Sequence, residues 1–178
     1  AGHGDDDSGA TGNGLLEKDI NLAVSKLVQQ KLEKAGVKVY MTRTDDTFYS
    51  LDERVLRAVN SGANTFVSIH ANSYGNESVN GTETFYSTAS LNPRAAQSKK
   101  LAEFIHERLV KAMGTTDRGV KTAGFRVIKA NPLPSALVEL AFISNKSDAE
   151  KLASDDYRDK AADAIAKGII DYYDWAME

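Results

Sequence analysis

The sequence predicts an α/β fold, a single domain whose helices cover a largely buried sheet. Three observations carry this. Segments with apolar residues at helical spacing alternate along the chain with short apolar or alternating runs of strand length. The length, 178 residues, is that of one domain. Hydrophobic residues make up 42% and charged residues 26%, which excludes a disordered chain and allows a core without staples.

Residues Ala1–Gly14 read as a loop, with five glycines and the run Asp5-Asp6-Asp7. A helix is predicted over Lys18–Lys34, where Ile20, Val24, Leu27 and Val28 share one face and Gly36 ends the pattern. Val37–Thr42 reads as a strand. Ser50 and Glu53 fit a capping box for a helix turning Leu51, Val55, Ala58 and Val59 inward and stopping near Gly62. Asn64–His70, with Phe66, Val67 and Ile69, reads as a buried strand, and Gly81–Ser87 as another. Asn92-Pro93 supplies a cap and first-turn proline for a helix running to Gly114, with Leu101, Phe104, Ile105, Leu109 and Ala112 inside. Gly124–Lys129 and Ala136–Phe142 are further strands. Ser147 and Glu150 form a second capping box, and Tyr157, Ala161, Ala164, Ile165, Gly168, Ile169 and Tyr172 trace the inner face of a last helix.

Composition excludes several functions. Lys and Arg are scattered over a chain of net charge −3, so nucleic-acid binding has no basic footprint. No apolar run reaches the ~18 residues of a membrane span. Cys is absent, which leaves His and carboxylates as the plausible ligands for a metal and suits a secreted protein.

Four polar residues stand out against their surroundings. Glu17 joins the apolar stripe of the first helix, three residues before Ile20 and seven before Val24. A carboxylate there needs hydrogen bonds or a cation, or else it caps the helix at a wet rim. Glu139 interrupts an otherwise apolar strand, Ala136–Phe142. The bland alternative is a buried ion pair with Arg43, Arg54 or Arg118. His70 ends a buried strand, where α/β sheets present groups to a cleft, the bland alternative being a satisfied core or rim histidine. His3 lies between Gly2 and Gly4, which let backbone come close to a ligand. The third histidine, His106, falls off the apolar face of its helix and reads as solvated, as does the aspartate run Asp5–Asp7. Two His and a Glu make a three-ligand set with an open position, the arrangement of catalytic zinc, and the remaining Glu suits a general base. Spacing alone does not identify the set: the intervals from His3 to Glu17, Glu17 to His70 and His70 to Glu139 are 14, 53 and 69 residues, with no short zinc motif.

Several stretches together resemble the catalytic domain of zinc-dependent N-acetylmuramoyl-L-alanine amidases, above all secreted autolysins of Gram-positive bacteria. They are Ala1–Gly4, Gly12–Asp19, Met41–Asp46, Ser50–Val55, Ser68–Asn72, Asp117–Lys121 and Leu137–Asn145. The resemblance covers essentially the whole chain, residues 1–178. It implies a mixed sheet flanked by helices on both faces, one zinc ion held by His3, Glu17 and His70, and Glu139 as the catalytic glutamate. Asn72, two residues after His70, is a candidate for substrate contact or for capping the strand end. The implied substrate is peptidoglycan in the cell wall, cut at the amide between the lactyl group of N-acetylmuramic acid and L-alanine. Family members carry a strand leading into the Ala-Gly-His motif, so such a strand is expected upstream of Ala1. The segment Ser87–Asn92 is too short for the occluding insertion that some members carry. Two rival readings use the same residues: a wall-binding module that holds glycan or stem peptide without cutting, and a non-haem Fe(II) oxygenase built on two His and one carboxylate. Neither gives Glu139 a task.

Overall fold

In the computed structural model, which describes residues 1–88, 90 and 92–178, a two-stranded ribbon, β1 (Thr11–Gly12) and β2 (Leu15–Leu16), leads into α1 (Glu17–Lys34). There follow α2 (Leu51–Asn60), β3 (Phe66–Asn72), β4 (Thr82–Tyr86), α3 (Ala95–Met113) and β5 (Asp117–Thr122). The chain continues through α4 (Arg126–Lys129), β6 (Ser135–Phe142), α5 (Lys146–Ala153) and α6 (Asp155–Met177). The main sheet has the order β3-β6-β4-β5. Strands β3 and β6 are parallel, as are β4 and β5, while β4 and β6 are antiparallel, so the sheet is mixed.

Strand β6 is nearly all apolar because it is an inner strand with partners on both edges and cover on both faces. On one face Ala136, Val138 and Leu140 pack with Ile20 and Val24 of α1, Leu101 and Ile105 of α3, and Ile165 of α6. On the other, Leu137 packs with Val127 and Ile128 of α4, flanked by Phe66 and Phe85. Helices thus flank both faces, but unequally. The one-turn α4 covers only the Leu137 end of its face. Farther along, at the carboxyl ends of β3 and β6, that face carries His70, Glu139 and, from β4, Glu83. Such strand ends are where α/β sheets hold ligands.

Several expectations need correction. Val37–Thr42 forms no ladder with any described strand. Its alternation survives as packing, with Val37 and Val39 against the core and Lys38 and Tyr40 exposed. Helix α2 has its predicted capping box but not its predicted face: Leu51 and Val59 are exposed, while Arg54 and Ala58 are buried. The physical reason is the Arg54 guanidinium, whose backbone carbonyl partners lie inside. Asn92 is not a helix cap. Its Oδ1 accepts from the Arg94 amide, its Nδ2 donates to the carbonyls of Ile128 and Asn131, and α3 begins at Ala95. Residues 124–129 are not a strand: α4 places the adjacent Val127 and Ile128 on one apolar cluster, and a run this short has no distinctive period. Helix α5 is capped by Asn145, whose side chain accepts from the Asp148 amide, and not by Ser147. His106 is buried, not solvated. Its Nδ1 meets Thr84 Oγ1 at 3.0 Å and its Nε2 meets Asp117 Oδ1 at 2.8 Å, tying α3 to β4 and β5. The segment expected to be too short for an occluding insertion includes residues 89 and 91, which lie outside the described residues.

Candidate functional site

The site begins with how residues 1–17 are held. Backbone carbonyls of the first three residues accept from two buried arginines. Arg43 donates to Ala1 O and Gly2 O, and Arg54 to Ala1 O and His3 O, at 2.6–3.3 Å. The Gly2 amide donates to Ile69 O at 3.0 Å, which joins the loop to β3 one residue before His70. His3 itself has φ +62°, a left-handed conformation that side chains rarely adopt and that clusters at functional sites. Farther on, Asn13 and Gly14, both with positive φ, make the tight turn between β1 and β2. Asn13 Nδ2 docks that turn on Ile143 O at 2.9 Å, beyond the end of β6. The turn brings the chain back so that the Glu17 amide donates to Ala10 O at 2.9 Å and α1 starts at the site.

Glu17, His3 and His70 converge. His3 Nε2 lies 3.1 Å and His70 Nδ1 2.9 Å from the same oxygen, Glu17 Oε1, and one ligand atom from each residue lies within 4.8 Å of the others. The imidazoles stand edge-on, 5.2 Å apart. The far nitrogen of each ring has its own partner: His3 Nδ1 meets Asp7 Oδ2 at 2.7 Å, and His70 Nε2 meets Ser68 Oγ at 3.0 Å. Without a metal the inward nitrogens donate to Glu17; were an ion to displace those protons, Asp7 and Ser68 would keep a proton on each far nitrogen and leave the lone pairs facing inward, as metal-binding imidazoles are held. Glu17 Oε2 accepts from the Ala10 amide at 2.7 Å, while Oε1, facing the histidines, also accepts from the Ala71 amide at 3.3 Å and from Asn21 Nδ2 at 3.4 Å. Two nitrogens and one carboxylate oxygen are a donor set suited to a borderline divalent ion. The cradle is tight. A Cβ on Gly9 would come within 2.5 Å of Glu17 Oε2 and 2.6 Å of His3 Cδ2, and one on Gly2 within 2.2 Å of the His70 ring. Gly2→Ala is expected to cost about 1–3 kcal/mol through overpacking. The urea midpoint reads this directly, and a wild-type midpoint would mean that the loop yields freely.

Electrostatics agree with the geometry. Burial opposes the charge on Glu17, which is 5% exposed, but hydrogen bonds from His3 and His70 outweigh it and hold the carboxyl well below the usual range. The contact with Glu17 raises His3. Burial lowers His70, favouring the neutral ring that a metal needs. Glu139 goes the opposite way. It is paired in register with His70 on one side and Glu83 on the other. Its Oε2 is out of contact with solvent and has no hydrogen-bond partner. Burial, then the nearby charges of Glu17 and Glu83, push its carboxyl well above the ordinary carboxylate value. None of Arg43, Arg54 and Arg118 pairs with it: the first two hold backbone carbonyls, and Arg118 takes Glu83. Asn72 lies at the same strand end, its Nδ2 on Glu83 Oε1 at 2.6 Å and its Oδ1 on the Ser73 amide.

Sequence reasoning missed the supporting partners. Asp7, read as part of a solvated acidic run, orients His3, and Ser68 orients His70. For Ser68 the strand alternation puts it on the His70 face, a signal that was there to use. Asp7 offers none, because its role depends on a turn that no periodicity encodes.

Residues 1–171 match the family model described as N-acetylmuramoyl-L-alanine amidase. The chain is 54% identical over 172 residues to the N-acetylmuramoyl-L-alanine amidase LytC of Bacillus subtilis, covering 97% of this chain and 34% of that protein. It is 37% identical to the sporulation-specific N-acetylmuramoyl-L-alanine amidase of the same species, covering 94% of this chain and 64% of that one. The chain therefore spans about a third of the first relative and under two thirds of the second. Among solved structures, the catalytic domain of the amidase CwlV from Bacillus (Paenibacillus) polymyxa var. colistinus superposes with a TM-score of 0.91 at 41% identity, covering 98% of this chain and 95% of that one.

Proposed function

The chain belongs to the N-acetylmuramoyl-L-alanine amidase family, and from that premise we propose that it is a zinc-dependent peptidoglycan amidase. The bond cut is the amide between the lactyl group of N-acetylmuramic acid and L-alanine. His3, Glu17 and His70 would hold one zinc ion. The chemistry such an ion supplies is Lewis acidity, toward the scissile carbonyl and toward a water. The observation that carries the reading is Glu139: half-buried, its Oε2 out of contact with solvent and without a partner, and in register with His70. A structural acid in that place is ordinarily paired. A general base has to keep an oxygen free.

The chain's own residues then have distinct tasks. Asp7 and Ser68 keep the imidazoles turned inward. The Glu139 carboxylate takes a proton from the attacking water and delivers it to the alanine nitrogen as the C–N bond breaks. We assign substrate contact to Asn72, whose Nδ2 donates to Glu83 at the same strand end. We place the protein outside the cell, at the wall that carries its substrate. Among the described residues, no helix is long and apolar enough to cross a membrane.

The test is digestion of purified peptidoglycan. New amino-terminal alanine is expected without new reducing sugar. Chelation should abolish release, and zinc should restore it. Wall binding that a chelator does not touch, with no release, would identify a binding module. Activity recovered by Fe(II) and oxygen but not by zinc would identify an oxygenase.

A further inference from the structure

One motif of the sequence, Asp117–Lys121, has no part in the chemistry above. In the structure it forms most of β5, the edge strand beside β4, and two of its cations meet a single carboxylate. Glu83 Oε2 accepts from Lys121 Nζ at 2.7 Å and from Arg118 Nε at 3.2 Å. We propose that Arg118 and Lys121 form a carboxylate-binding subsite for the stem peptide, taking the free carboxylate of the residue that follows the alanine. This rests on the amidase reading.

Four observations support it. The first is position. Glu83 lies directly opposite Glu139 on the antiparallel β4–β6 pair, so the two share a face of the sheet. Two strand spacings, about 10 Å, separate β5 from β6. Two extended peptide residues span about 7 Å, and the long Arg and Lys side chains cover the remainder. The second is charge. Two cations face one carboxylate, which leaves one positive charge in excess on a chain of net −3. The third is unspent donors. Arg118 uses Nε on Glu83, and its Nη1 reaches Asn80 O at 3.5 Å. Its Nη2 makes no hydrogen bond among the described residues. Lys121 spends one of three N–H groups, on Glu83. Both side chains are partly open to solvent, at 32% and 43% exposure, whereas Glu83 is buried. The fourth is preorganisation. The Arg118 guanidinium lies 5.0 Å from the centre of the Phe142 ring, held between that ring and Glu83. Glu83 thus anchors both cations, partly exposed, on the strand beside its own, where it sits opposite Glu139.

The experiment uses two soluble muropeptides that differ only at the second stem residue, one with a free α-carboxylate and one with a carboxamide. Metal-loaded wild type is compared with Lys121→Met, Lys121→Arg and Arg118→Gln. Wild type is expected to favour the carboxylate about tenfold in kcat/KM, through KM, with the preference falling as salt rises. Lys121→Met and Arg118→Gln should bring the ratio near one, and Lys121→Arg should keep it. In parallel, NMR titration of the two free stem peptides measures the same preference without turnover. Equal KM and equal peptide affinity on wild type would overturn the subsite. So would a preference that survives both charge-removing variants, since the cations would then serve only to neutralise Glu83. Carboxylate-selective peptide binding without hydrolysis of either muropeptide would keep the subsite and overturn the amidase reading.

Discussion

Glu139→Gln is expected to lower turnover on peptidoglycan by about 10²–10⁴-fold, the usual contribution of a positioned acid–base group, while leaving fold and metal content unchanged. The amide matches the carboxyl in size but cannot take up the water's proton or hand it to the leaving nitrogen. The fold should not suffer. The wild-type Oε2 is buried without a partner, and the carboxyl faces the charges of Glu17 and Glu83. A neutral group removes that repulsion, an instance of function held at the expense of stability. Single-turnover release of amino-terminal alanine, read beside a thermal melt and a zinc determination, checks each part. Release at near the wild-type rate would remove Glu139 from the chemistry. A large fall in zinc content would instead make it a ligand.

The second large effect concerns the metal donors. His3→Ala and His70→Ala are each expected to abolish tight zinc binding, with activity lost in step. Loss of an outer partner such as Asp7 typically costs about 10–100-fold in affinity. Removing a donor should cost more, because two of three protein ligands cannot close the site. Each variant also takes from Glu17 a hydrogen bond that compensates its burial. Leaving that carboxylate less satisfied should cost about 1–3 kcal/mol in the metal-free protein. The sign with pH follows. Glu17 titrates below its ordinary value in the fold, so its contribution is fully present above the unfolded value and is lost as pH falls through the lower, folded one. His3→Ala, which also removes an imidazole held above its ordinary value, should therefore lose more stability in mild acid than at neutral pH, and His70→Ala, whose ring burial holds below it, more at neutral pH than in mild acid. Zinc measured after dialysis, with urea midpoints at both pH values, tests this. One zinc per chain retained in both variants would reassign the ligands.

Legibility in the sequence varied with the kind of information each residue carries. Glu139 and Glu17 stand out because each breaks an apolar pattern, and a charge among apolar neighbours is costly unless something compensates it. Their anomaly is local, so a single chain is enough to see it. His70 was half visible, at the end of a buried strand. His3 stood out only by its flanking glycines. Strand β5 was missed because an edge strand that is half exposed needs no apolar alternation, and Asp117–Thr122 has little. His106 misled because its partners, Thr84 and Asp117, come from two other elements. Without them, a polar residue off the apolar face reads as wet.

By itself the sequence determined the alternation of helices and strands, the apolar faces of α1, α3 and α6, and the residue types that could do chemistry. These follow from periodicity and from the cost of burying charge, which act between near neighbours. The tertiary structure alone decided what meets what. It brings His3 and His70 onto one oxygen of Glu17, leaves Glu139 Oε2 without a partner, and gives Arg118 to Glu83. It also spends Arg43 and Arg54 on the carbonyls of the first loop. Those pairings depend on strand order and register, set by long-range contacts that no local pattern along the chain records.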